Sequence, residues 1–487
     1  MRINYNVSAA IANKHLLGIE NNMSKSMERL SSGLKINHSK DNPAGMAISN
    51  KMQAQINGLN RASQNASDGI SVIQISDGAL NEVTSILQRM RELSVQAASD
   101  ATMAVEDKKA IQNEIESLKD EVDRISTDTE YNTKTLLDGS LDTRVYTKNA
   151  TRVQISDQVE AGIYGVTIES AATQAETVCA TDFNSTAAVG ASGEMSINGS
   201  SVTIEETDTY AEAYEKIRAA AELGETTATR DETSGAVTFT ADAYGAGNYL
   251  EITFDNEELA NAIGLSVVLD SENDCWVHGV EETDPTTGET LIKVPTGEDM
   301  VLRDPATNEL MLEGFTSSTT VATDGNRVTI TDIGGVSMSF LVDEGYEGDL
   351  SFEVTEIGTM TLHIGANKDQ NMEVRIPEVS CESLYIDDLN VVTVNGAGRA
   401  LTKLDEAIAK VSEVRARLGA YENRLEYSTE SLDAFEENMT EAQSRLADTD
   451  MAQEMTTYTQ QNVLNQAAIS VLTQANDMPQ QVLQLLQ

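Results

Sequence analysis

Between residues 401 and 446, an apolar residue occurs at every seventh position, and a second, mostly apolar series follows three residues after each of these. This 3-4 spacing is typical of one face of a long helix that packs against other helices along its length. The intervening residues are mostly charged or amide side chains, so the opposite face is predicted to be solvated. The residues predicted to pack are Leu404, Val411, Leu418, Leu425, Leu432, Met439 and Leu446.

A helix of this length, about 70 Å at 1.5 Å per residue, needs a partner to cover its apolar face. Residues 52–90 repeat the spacing, and residues 111–125 carry a shorter copy of it. We therefore predict an α+β fold in which both ends of the chain build a long antiparallel helical bundle or coiled coil. The predicted packing residues on the N-terminal side are Ile73, Leu80, Val83 and Leu87.

The middle of the chain instead alternates apolar and polar residues, as strands do, for example at residues 236–240 and 327–331. We predict a mostly β insertion of one or two mostly antiparallel β domains, with a helix near residues 210–221. Residues 171–350 contain 35 acidic and 6 basic residues, and so account for 29 of the 46 net negative charges. This balance argues against nucleic acid or an anionic membrane as a partner, and it favours a solvated surface over a calcium site.

These changes of pattern divide the chain into five segments. Pro43 cannot continue a helix and marks the first boundary. The predicted segments are a terminal coiled-coil segment (1–42), the first part of the bundle with a β-hairpin (43–170), an acidic β-rich insert (171–355), the second part of the bundle (356–447) and a second terminal coiled-coil segment (448–487).

Both terminal segments are amphipathic and rich in Gln and Asn. Helices of this kind are marginal when isolated, so we predict that they are disordered in the free monomer and become ordered by packing on each other or on other copies. The residues predicted to take part in this polymerisation are Leu16, Met23, Met27, Leu30, Leu34, Val471, Leu472, Leu485 and Leu486.

The sequence carries no recognisable catalytic motif, so we predict a protein that is not an enzyme and needs no cofactor. HExxH, GxSxG, GxxxxGK[ST] and GxGxxG patterns are absent from it, and its four histidines do not have metal-ligand spacing. Three distant cysteines form neither a disulfide framework nor a metal motif. No apolar run reaches the roughly 18 residues that cross a bilayer, and a cleavable signal-peptide pattern is lacking at the N-terminus.

Motifs at the two ends resemble bacterial flagellin over residues 1–168 and 360–487. The middle matches more weakly: GEMSINGSSVTI at residues 193–204, followed by AYEKIR at residues 213–218, is similar to a small motif of flagellin and hook-associated inserts. The terminal motifs are LSSGLKIN (30–37), DNPAGMAIS (41–49), QRMRELSVQ (88–96), LGAYENRLE (418–426), DTDMA (448–452) and VLQLLQ (482–487).

The resemblance implies a secreted structural subunit of the extracellular flagellar filament. The terminal segments would line a central export channel, the bundle would form the surrounding tube, and the acidic insert would be exposed on the filament surface. The implied partners are other copies of the chain, a flagellar export chaperone, the type III export apparatus, and the hook-associated junction and cap proteins.

A second implied partner is the host Toll-like receptor for flagellin, with Arg89, Leu93 and Glu114 at the matching positions. The competing interpretation is that Leu93 packs inside the bundle and the two charges are merely solvated. Two alternatives to a filament subunit remain open from the sequence. One is a hook-associated junction or cap protein, and the other is a surface adhesin that acts through the middle insert.

Overall fold

The computed structural model describes residues 6–99, 103–156, 158–270, 275–283, 290–302, 310, 312–316, 318–355 and 357–485. It confirms the predicted class, with long helices at both ends and a β-rich middle. The helices are α1 (Val7–Ser32), α2 (Pro43–Ala97), α3 (Val105–Asp128), α4 (Tyr210–Leu223), α5 (Glu257–Ile263), α6 (Val394–Ala447) and α7 (Met451–Leu485). None of these described helices is both long and apolar enough to cross a membrane.

The strands are short, and most lie in the middle of the chain. They are β1 (Glu130–Tyr131), β2 (Lys134–Thr135), β3 (Val145–Tyr146), β4 (Ala150–Ile155), β5 (Gly162–Ile168), β6 (Gln174–Cys179), β7 (Gly193–Ile197), β8 (Ser200–Ile204), β9 (Thr226–Arg230), β10 (Val237–Tyr244), β11 (Ile252–Phe254), β12 (Val267–Asp270), β13 (Cys275–His278), β14 (Val280–Thr283), β15 (Thr290–Lys293), β16 (Leu312–Glu313), β17 (Thr320–Asp324), β18 (Arg327–Thr331), β19 (Ser337–Val342), β20 (Gly348–Val354), β21 (Met360–His363) and β22 (Asn371–Val374).

Local sequence explains where the N-terminal helices begin and end. The Asn6 side chain accepts a hydrogen bond from the Ala9 amide at 3.0 Å and so caps the start of α1. Gly33 ends α1 in the left-handed conformation, with φ of 75°, which only glycine adopts at no steric cost. Helix α2 starts at Pro43, and the Asn42 side chain caps it by accepting from the Gly45 amide at 2.9 Å.

The chain forms two compact units, and α2 and α6 contribute residues to both. The first unit comprises the described parts of Met1–Ile70, Leu362–Met372 and Asn423–Gln487. Within it α2 and α6 run antiparallel. The Ser63 hydroxyl donates to Asp433 at 3.0 Å, the Asn60 amide donates to Glu436 at 2.6 Å, and the Gln443 amide contacts the Ser49 carbonyl at 3.4 Å.

The second unit comprises the described parts of Ser71–Thr361 and Glu373–Glu422. Here too α2 and α6 are antiparallel, because Arg91 pairs with Asp405 at 2.6 Å while Arg415 pairs with Asp77 at 2.8 Å. The predicted pairing of the two long helices is therefore confirmed in each unit.

The β-rich part of the second unit contains two hydrophobic cores. One lies among α4, α5 and two sheets with strand orders β6-β10-β9 and β12-β13-β11-β7-β8, and it buries Phe183, Phe239 and Phe254. The other lies between sheets β16-β5-β20-β3 and β17-β18-β19-β4, where the Phe340 and Phe352 ring centroids are 4.5 Å apart. Strands β3–β5, which precede residue 171, belong to this second core; the domain boundaries from the sequence remain a prediction.

Candidate assembly and recognition surfaces

The predicted bundle-packing residues are covered along most of the stripe. Leu404, Val411, Leu418 and Leu425 have no exposed surface, and Leu432 is also buried. On α2 the predicted residues Ile73, Leu80, Val83 and Leu87 are fully buried. Coverage decreases toward the C-terminal end of α6, where Met439 and Leu446 are only partly buried. Phe435, a member of the second apolar series, is 60% exposed.

The terminal helices α1 and α7 pack on each other as an antiparallel coiled coil. The Asn6 side chain donates to the Ala475 carbonyl at 2.8 Å, and Arg29, near the other end of α1, lies 3.8 Å from the Glu454 carboxylate. The covered positions follow a 3-4 spacing on both helices. They are Ala9, Ala12, Leu16, Ile19, Met23, Ser26 and Leu30 on α1, and Glu454, Tyr458, Gln461, Asn465, Ala468, Leu472 and Ala475 on α7.

The contact surface of α7 is mostly polar or small, and many of the larger apolar side chains of both helices face away from it. Of the residues predicted to polymerise, Leu16, Met23, Leu30 and Leu472 are partly covered, whereas Met27, Leu34 and Val471 are exposed. The side chain of Leu485 and all of Leu486 lie outside the described residues. Sequence reasoning missed further exposed apolar residues, namely Val7, Ile11, Leu17, Val463 and Ile469.

The turns that precede α2 and α7 are hydrogen-bonded to each other, which no sequence pattern indicated. The Lys35 amide donates to the Ala447 carbonyl at 2.6 Å, and the Thr449 amide donates to the Gly33 carbonyl at 2.9 Å. The ends of α1 and α6 are therefore joined by a short antiparallel bridge. The predicted boundary between residues 447 and 448 falls at one of these turns, but the two turns are more than 400 residues apart in the sequence, so no local pattern predicts that they pair.

The predicted receptor-binding residues are close together but unequally accessible. The guanidinium group of Arg89 contacts the Glu114 carboxylate at 2.9 and 3.2 Å, and both side chains are about half exposed. These hydrogen bonds, which Arg89 donates to the Glu114 carboxylate, are the main reason that the pKa of Arg89 is raised. Leu93 is only 2% exposed, so its side chain contributes to packing beneath the two charges.

Metal binding has no candidate site among the described residues, and the two buried cysteines are poorly suited to thiol chemistry. Among the described residues, no group of three or more His, Cys, Asp or Glu side chains is placed to hold a metal ion. Cys179 and Cys381 are buried, and burial is the main cause that raises both thiol pKa values. Such thiols are poor nucleophiles, because the reactive thiolate is disfavoured.

A chain whose two ends pair as long helices, and whose terminal helices leave apolar side chains uncovered, is a structural subunit suited to assembly with other copies. Residues 3–142 match the bacterial flagellin N-terminal helical region, and residues 401–486 match the bacterial flagellin C-terminal helical region. The chain is 33% identical over 481 residues to a flagellin of Clostridium tyrobutyricum, covering 99% of this chain and 100% of that protein. The chain therefore belongs to the bacterial flagellin family.

Flagellin B of Vibrio cholerae is 31% identical over 487 residues, covering 100% of this chain and 99% of that protein. A solved structure of flagellar hook associated protein-3 from Legionella pneumophila matches 82% of this chain and 98% of its own chain, at 10% identity and a TM-score of 0.31. The chain is thus a structural subunit of the extracellular bacterial flagellar filament, the polymer that serves motility. Full-length similarity to flagellins favours this role over that of a junction or cap protein.

Proposed function

We propose that the exposed apolar faces of α1 and α7 are the surfaces through which each copy joins the filament. The observation that carries this proposal is that the α1–α7 contact covers mostly polar and small residues of α7, while Val463, Ile469 and Val471 remain exposed. A monomer cannot cover both sides of two helices with one contact. Neighbouring copies supply the missing apolar surface.

This arrangement also explains why polymerisation is confined to a growing end. Copies that join through different surfaces in a head-to-tail manner form an open helical polymer instead of a closed ring. Each incoming copy orders its terminal helices only where earlier copies already provide apolar surface, because the ordering entropy must be offset by burial. Two free monomers offer each other only one such pair of helices, so less apolar surface is buried to offset that entropy.

Deletion of residues 1–40 or 451–487 tests the role of the terminal helices. We expect each truncated chain to fold, as judged by circular dichroism, but to fail to elongate seed filaments in light scattering. A truncated chain that still builds filaments would contradict the proposal.

A point variant sharpens the test. Val471→Ser removes exposed apolar surface from α7 and should slow elongation while leaving monomer stability within about 0.5 kcal/mol. Gln474→Ser, also exposed on α7, is the matched control and should elongate normally.

We further propose that the monomer is recognised by the host Toll-like receptor for flagellin through Arg89 and Glu114. The half-exposed ion pair supports this proposal, because charged groups at this accessibility can be contacted without unfolding the bundle. Leu93 would act by positioning the helix surface from beneath.

Arg89→Ala should weaken receptor affinity measured by surface plasmon resonance. Arg91→Ala, which also removes a paired arginine from α2, is the matched control. Unchanged affinity of the Arg89 variant would favour the simpler interpretation that the charges are only solvated.

Export through the flagellar type III apparatus with a dedicated chaperone is also proposed, on the basis of family membership and the exposed apolar face of α7. Secretion of the chain by a host strain should cease when its flagellar export apparatus is inactivated. Continued secretion from that strain would show a different route.

A further inference from the structure

Arg327 leaves one of its nitrogen atoms without an acceptor at the contact between β18 and α6. Its guanidinium group pairs with Glu406 on α6 through Nη1 at 2.9 Å, and it lies 4.4 Å from the centre of the Tyr385 ring, which holds its orientation. The Nε atom is buried, and the described part of the chain provides no acceptor for it. Because a buried N–H without a partner costs free energy, this atom indicates an acceptor from outside the chain.

Lys410 is a second group at this contact that lacks a partner. It lies one helical turn after Glu406, and the charge of Arg327 acts on it, so it faces the same side of α6. Lys410 is partly buried, and it forms no hydrogen bond or ion pair with any residue that the structure describes. An ammonium group that is withdrawn from water is normally paired with an anion, because its desolvation is costly.

The charged groups around Lys410 do not compensate its positive charge. Burial is the main cause that lowers the pKa of Lys410, and the charges of Arg327 and Arg417 lower it further. Glu413, on the next turn of α6, and Asp142, in the segment before β3, act in the opposite direction, yet the pKa still falls to about 8. An additional anion at this contact would favour the charged form of the amine and accept from the neighbouring guanidinium group.

We propose that Lys410 and Arg327 bind a small oxyanion, such as sulfate or phosphate, between α6 and β18. The oxygen atoms of such an ion accept hydrogen bonds from the Lys410 ammonium group and from the Arg327 Nε–H, and charge-assisted hydrogen bonds of this kind are the strong ones. The ion joins the helical bundle to the second β core. This site is independent of the assembly role proposed above, because neither residue lies on α1 or α7.

Equilibrium dialysis of the monomeric full chain against radiolabelled sulfate measures this binding directly. Sulfate keeps the same charge across the neutral and alkaline range, and chloride holds the ionic strength constant so that general screening does not change. We expect one sulfate ion to bind per chain near neutral pH. At about pH 10 the affinity should be at least about tenfold lower, because Lys410 is then largely deprotonated.

Three variants assign the bound ion to this contact. Lys410→Met should lower the sulfate affinity at least about tenfold, because it removes a charged donor. Lys403→Met is the matched control and should bind as the wild type does, since Lys403 lies on the same helix but already pairs with Asp388 at 2.6 Å. Glu413→Gln removes a neighbouring negative charge and should raise the affinity about two- to fivefold, a gain that a folding defect cannot produce.

Two results would overturn the proposal. If the wild type binds no sulfate near neutral pH, the acceptor at the Arg327 Nε atom is water. If the wild type and Lys410→Met bind sulfate equally well, the ion is held elsewhere on the chain. Circular dichroism spectra of the variants should match that of the wild type, so that a lost affinity is assigned to the missing amine.

Discussion

Replacement of Leu418 by alanine tests the contact between the two long helices in the second unit. Leu418 has no exposed surface, and it lies three residues from Arg415, whose guanidinium reaches Asp77 on α2. Its side chain therefore lies in the contact between α6 and α2. Truncation removes buried apolar atoms and leaves a cavity that neighbouring side chains fill incompletely, for an expected loss of about 2–5 kcal/mol.

That loss is large beside the total stability of a typical domain, about 5–15 kcal/mol. Urea unfolding followed by far-ultraviolet circular dichroism measures it, because helices dominate the signal. Val463→Ala on α7 is the control, since Val463 is 61% exposed and its truncation should change stability by no more than about 0.5 kcal/mol. A loss below about 1 kcal/mol for the Leu418 variant would refute the packed contact inferred from the 3-4 stripe.

Three further predictions concern protonation and helix ends. Burial, followed by the charge of Arg327, lowers the pKa of Lys410 from 10.5 to about 8. Between these two pH values Lys410 is protonated in the unfolded chain but not in the folded chain, so the free energy of unfolding should rise from pH 8 to 10.5. Lys410→Met should abolish this rise in urea titrations. Hydrogen bonds donated by Thr316 lower the pKa of Asp332 from 3.8 to about 2. The Asp332 carboxylate should therefore stabilise the fold above pH 3.8, and this contribution should be lost as the pH falls toward 2. Asp332→Asn should remove this pH dependence from acid unfolding curves. Gly33→Ala forces a left-handed residue with a Cβ at the end of α1 and should cost about 1 kcal/mol, seen as faster hydrogen exchange in the last turn of that helix.

The sequence alone was sufficient to predict the long helices, because helical periodicity is a local property of the sequence and can be recognised without knowing which helix packs against it. The apolar spacing in residues 401–446 and 52–90 predicted which helix faces are buried, and Leu404 and Leu80 are fully buried. Pro43 likewise marked a helix boundary through its own backbone preference. The place of strands β3–β5 in the second β core was not foreseen, because they pair with strands some 150–200 residues later and no local pattern encodes such pairing.

Which apolar residues remain uncovered was decided only by the tertiary structure. Leu472 and Val471 are adjacent and similarly apolar, yet the first packs toward α1 and the second faces away. Phe435 continues the same stripe as Leu432, but α2 and the β21–β22 turn do not cover it. Periodicity predicts that a side chain is buried against apolar residues, because it lies on the apolar face of its helix. Only the three-dimensional arrangement shows whether those residues belong to the same chain or must come from another copy.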